Sequence, residues 1–85
     1  MSELTKEERA WVKKVNALLE KCPSSRIGFY TIGDATVFLF DETYQNEISN
    51  FMDNSNADWA ECVEIIGAGF SEQLKFPNPV ESVAG

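Results

Sequence analysis

An 85-residue chain with 44% hydrophobic and 25% charged residues has the composition of one ordinary globular domain whose core is limited in size. It contains no histidine, and its net charge of −7 divides into +2 over residues 1–26 and −9 over residues 27–85. These counts remove Ser-His and Cys-His nucleophile pairs and most transition-metal sites, and they disfavour direct binding to a nucleic-acid backbone, which needs a basic surface.

The N-terminus, MSELTKEERAW, carries acids where a signal peptide needs a basic and then an apolar start. No run approaches the ~20 apolar residues that span a bilayer, so the expectation is a soluble cytoplasmic protein with no membrane partner. Thr5-Lys6-Glu7-Glu8 fits a capping box, and beyond it Trp11, Val15, Leu18, Leu19 and Cys22 recur at i, i+4, i+7, i+8 and i+11, one apolar stripe on a helix. Pro23 ends that helix at about Lys21 or Cys22. The two cysteines, Cys22 and Cys62, lack a C-x-x-C spacing and are read as reduced, partly buried thiols, although sequence alone leaves a disulfide between them open.

Residues 26–32 and 35–41 are rich in β-branched and aromatic side chains and flank Gly33-Asp34, which reads as a two-residue type II′ hairpin turn and not as a binding loop. The register of such a hairpin places Tyr30 opposite Val37. Ile27, Phe29, Phe38 and Phe40 then share one face, and Tyr30, Ile32, Val37 and Leu39 share the other. Both faces are apolar whatever the register, so both need cover. Asp41 reads as the N-cap of a second helix with the stripe Tyr44, Ile48, Phe51 and Met52, ended by the polar break at residues 53–56. Residues 59–66 fit a strand, favoured by Val-Glu-Ile-Ile and the following Gly67-Ala68-Gly69, or a helix with Trp59, Cys62, Val63 and Ile66 on one side. The strand is the preferred reading. A further strand near Gln73–Phe76 follows, and residues 77–85 form a Pro-containing C-terminal tail.

The expected fold is therefore one small α+β domain over residues 1–85, of two layers. Its antiparallel sheet has about four strands in the order α-β-β-α-β-β, with two amphipathic helices on one face. Its other face lacks cover, which makes Tyr30, Ile32, Val37 and Leu39 a candidate interaction surface and a homodimer or another protein the expected occupant.

Other motifs fail on inspection. Gly67-Ala68-Gly69 has no third glycine opening a helix, as a dinucleotide fingerprint requires. Asp53 to Asp58 misses the calcium-loop pattern at its third, fifth and sixth positions. Pairs such as Asp41 with Glu42 or Glu61 with Glu64 read as solvated surface, so no catalytic residue, metal ligand or cofactor-binding residue is assigned and no cofactor is expected.

The runs CPSSRIGFYTIGD, LTKEERAWVKKVNALLEK and FPNPVESVAG resemble short uncharacterised accessory proteins of lambdoid phages and prophages of enteric bacteria, over most of the chain. The resemblance implies a setting in the bacterial cytoplasm and a size typical of factors that bind host proteins; it supplies no site residues. The expected function is a small acidic, non-enzymatic interaction protein, dimeric and acting on a host protein. The alternatives are an acidic nucleic-acid mimic that occupies the basic groove of an enzyme, or a small-molecule or metal binder using carboxylates.

Overall fold

The computed structural model describes residues 2–81. The first helix, α1 (Lys6–Glu20), starts in the expected capping box: the Thr5 hydroxyl accepts from the Glu8 amide at 3.1 Å and the Glu8 carboxylate from the Thr5 amide at 2.8 Å. Strands β1 (Ile27–Tyr30) and β2 (Thr36–Asp41) form an antiparallel hairpin, and β3 (Gly69–Lys75) pairs antiparallel with the other edge of β2, giving the order β1-β2-β3. Between β2 and β3 the chain makes a 3-10 turn (Glu42–Tyr44) and two helices, α2 (Gln45–Asp53) and α3 (Trp59–Ile66). Asp41 caps the 3-10 turn through the Thr43 amide, one turn ahead of α2, the helix it was expected to cap, whose own N-cap Tyr44 makes no side-chain hydrogen bond.

Among the described residues the fold is α+β, with three strands instead of four and three helices instead of two. The segment 59–66 is helical, so the preferred strand reading is corrected. Asp58 accepts from the Glu61 amide at 2.9 Å, and Gly67 closes the other end in the left-handed region (φ 81°), where the Ala68 amide reaches the Val63 carbonyl at 3.0 Å. Two well-formed caps outweigh the weak strand preference of Val-Glu-Ile-Ile. Gly67 is thus a helix stop, and β3 begins two residues later, earlier than expected.

The hairpin connection also differs. Its loop runs over residues 31–35, with Gly33 at φ 96° and the Thr36 amide bonded to the Asp34 carboxylate at 2.9 Å. Tyr30 now pairs with Phe38, Phe29 with Leu39 and Gly28 with Phe40. The one-residue shift exchanges the faces of β1 relative to β2. Cross-strand partners share a face, so Gly28, Tyr30, Phe38 and Phe40 stand together, and Ile27, Phe29, Val37 and Leu39 stand opposite, joined by Leu74 through its pairing with Val37.

The core lies on the Phe40 side. Phe40, Ile48 of α2, Cys62 and Val63 of α3, and Ala68 are buried, with Tyr30, Phe51, Ala57, Trp59 and Ile66 packed against them. Tyr30 stacks on Phe38 (5.3 Å between centroids), and Phe40 meets Trp59 edge-on at 5.4 Å. A side chain at Gly28 would not fit, because its Cβ would stand 2.5 Å from the Phe40 ring. The helices at this core are α2 and α3, whereas α1 buries no residue. Both cysteines are free thiols, Cys62 buried and Cys22 exposed.

Candidate interaction surface

The four residues expected to form one patch do not share a face. Tyr30 belongs to the Phe40 side and is half-buried among the core aromatics. Ile32 stands in the hairpin loop, 63% exposed. Together these two help line an open groove of about 410 Å³ between the hairpin and α3, with Phe38, Val63 and Glu64. Burial, and then the Glu64 carboxylate, raise the Tyr30 phenol above its ordinary pKa. Val37 and Leu39 lie on the opposite side of the sheet, half-buried, beside Phe29, which is 49% exposed. The two-sided apolar character of the hairpin survives the corrected register, as it must when only one strand exchanges faces.

The larger apolar surface is elsewhere. Along α1, Trp11 is 58%, Leu18 74% and Leu19 52% exposed, although their spacing is that of a core-facing stripe. With Val15 they border a concavity of about 230 Å³ whose other wall is Leu74, Phe76 and Pro77. Leu74 sits on the second face of the sheet, so the stripe of α1, the end of β3 and that face form neighbouring parts of one apolar region. Sequence reasoning identified the stripe and took it as cover for the sheet. No periodicity signal distinguishes a stripe that is covered from one that is not. In the sequence Phe76 is legible only as the end of a strand.

Charge is arranged around these surfaces. No basic residue occurs between Ile27 and Leu74, and Glu42, Glu47, Asp53, Asp58, Glu61 and Glu64 are all exposed on the α2–α3 side. On the other side of the sheet, Arg26 pairs with Asp41 at 3.4 Å and lies 4.9 Å from the centroid of the Phe70 ring. The Thr43 hydroxyl, hydrogen-bonded to Asp41 at 2.5 Å, is the main cause that holds the Asp41 carboxyl below its ordinary pKa, with the Thr43 amide and Arg26 acting in the same direction against burial. Among the described residues no three His, Cys, Asp or Glu side chains gather as a metal-binding group, and no helix is long and apolar enough to cross a membrane. The final residues of the expected tail, 82–85, lie outside the described residues; Val80 within it is half-buried. No protein-family model, curated protein or solved structure matches this chain.

Proposed function

We propose that this chain is a small acidic, non-enzymatic interaction protein that docks another protein on the apolar region formed by α1 and the end of β3. Self-association on the same region is part of that reading. The observation that carries it is the exposure of Trp11, Leu18 and Leu19 beside Leu74 and Phe76, because single-domain proteins rarely leave a contiguous patch of large apolar side chains uncovered. Trp11, on the wall of that concavity, is also of a residue type that often dominates the energetics of an interface. The reading takes a host protein as the partner and the bacterial cytoplasm as the place, on the resemblance read in the sequence alone. The test is a pull-down from an enteric bacterial lysate with the wild-type chain and Leu18→Asp side by side. A stoichiometric partner retained by the first and lost by the second is the expected result, and a chain that shows neither a Leu18-dependent partner nor Leu18-dependent self-association removes the reading.

One observation favours a second reading. The run of exposed acids on the α2–α3 side, unrelieved by any base, is the charge distribution of a nucleic-acid mimic. Binding to a basic enzyme would then weaken steeply as salt rises. Affinity indifferent to salt sinks it.

A further inference from the structure

We infer that the occupant of this surface is a second copy of the chain, with α1 of one copy lying antiparallel to α1 of the other across a two-fold axis, and that α1 owes its stable helical form to that contact. The inference rests on the proposed docking surface and names what covers it.

The first argument is area. The chain exposes 7088 Å², whereas a folded monomer of its mass exposes about 5,000 Å². The radius of gyration is 15.8 Å, against about 12 Å for a compact chain of this length. The surplus, roughly 2,000 Å², exceeds the ~800 Å² that each partner contributes to a standard interface.

The second is the helix itself. α1 has fifteen residues and buries none of them, and isolated helices of about 12–15 residues are marginal in water without a packed face. Its capping box stabilises one end but leaves the Trp11, Leu18 and Leu19 stripe in solvent.

The third is charge complementarity, which chooses the partner and the direction. Glu7, Lys14 and Lys21 stand seven apart, so they form one row, and each lies three or four positions from Trp11 or Leu18 beside the stripe. In a parallel pair this row faces the other flank of the partner's stripe, at Val12 and Leu19, and meets no opposite charge. An antiparallel pair centred near Lys14 sets Glu7 of each copy against Lys21 of the other, two opposite-charge pairs against the single like pair of Lys14 with Lys14 at the axis, and opposes the two helix macrodipoles. It also sets Trp11 near Leu18 of the second copy, so the apolar stripes meet between the two outer Glu7–Lys21 pairs. The complementary row is already written in this chain.

The experiment is sedimentation of the full-length protein from sub-micromolar to several hundred micromolar, with far-ultraviolet circular dichroism on the same samples. The expected result is a rise from one copy to two, with the helical signal increasing in step with the dimer fraction, and loss of both in Leu18→Asp. Glu7→Lys and Lys21→Glu are each expected to weaken association roughly three- to tenfold, as two rim ion pairs become repulsive, and the double charge swap to restore it. A monomer at every concentration, a dimer indifferent to Leu18→Asp, or a double swap weaker than either single variant overturns the inference. A monomeric chain that still captures a Leu18-dependent lysate protein overturns the self-pairing and leaves the docking surface standing, whereas failure of both measurements removes the surface as well.

Discussion

Thr5 and Asp58 cap α1 and α3 in the same manner, each accepting from the backbone amide three residues on, yet the fifteen-residue α1 buries no side chain while the eight-residue α3 buries Cys62 and Val63. Both helices carry an apolar stripe, and α1 has the longer one. What separates them is position in the chain. α3 is flanked by α2 and by β3, which pairs with β2, so the chain on both sides of α3 holds its stripe on Phe40 and Ile48. Among the described residues α1 has a packed element on one side only, β1 through residues 21–26, and no flanking pair holds its stripe against the sheet. Local sequence decides that a helix forms and which of its faces is apolar; the elements on either side decide whether that face is covered.

Four substitutions break or sharpen this contrast. Ile48→Ala removes a fully buried side chain from the α2–α3 core and is expected to cost about 2–5 kcal/mol, enough to unfold much of a domain this small; denaturant titration measures it. Gly28→Ala forces a methyl group against the Phe40 ring and is expected to cost about 1–3 kcal/mol by overpacking. A wild-type melting temperature for that variant contradicts the close approach of β1 to β2. Leu18→Ala, at an exposed site of α1, is expected to shift the unfolding free energy of the dilute protein by less than about 0.5 kcal/mol. A loss comparable to that of Ile48→Ala would mean that α1 belongs to the same cooperative core.

The smallest effect is confined to acid. The carboxyl of Asp41 is lowered in the fold, mainly by Thr43, so its contribution is present above the ordinary carboxylate pKa of about 4 and lost as pH falls through the lowered folded value. Thr43→Val is therefore expected to unfold at a higher pH than wild type on the acid limb while matching it in shape near neutrality. Superimposable acid limbs would remove Thr43 as the cause.

The parts of the fold legible in sequence were those with local chemistry. The Thr5 box, the Asp41 cap, the polar break after α2 and the presence of a hairpin around Gly33 all follow from side chains acting on their own backbone. The misread parts turn on non-local outcomes. Gly33-Asp34 supports a two-residue or a longer loop, and the choice shifts the register by one and moves Tyr30 from one face to the other. Gly67 fits a hairpin or a helix stop, and the latter prevails because Asp58 caps the other end of α3. As for the candidate surface, its apolar residues on α1 were visible as a stripe, but their exposure depends on how little of the chain packs against them.

The strand order β1-β2-β3 has a consequence in time. β1 and β2 are joined by a short loop, and α2 and α3 by another, so both pairs close quickly, whereas β3 reaches β2 only after the 27 residues between Asp41 and Gly69 have been arranged. The docking of β3 is thus the expected slow step, with the α3 stop at Gly67 aiming the strand. Substitutions in the β2–β3 contact, such as Val37→Ala, are then expected to slow folding, while those in α1 leave its rate untouched; a φ-value near zero at Val37 would place the barrier elsewhere. On this view the arm that dominates the surface of the molecule has no part in the speed at which the domain assembles.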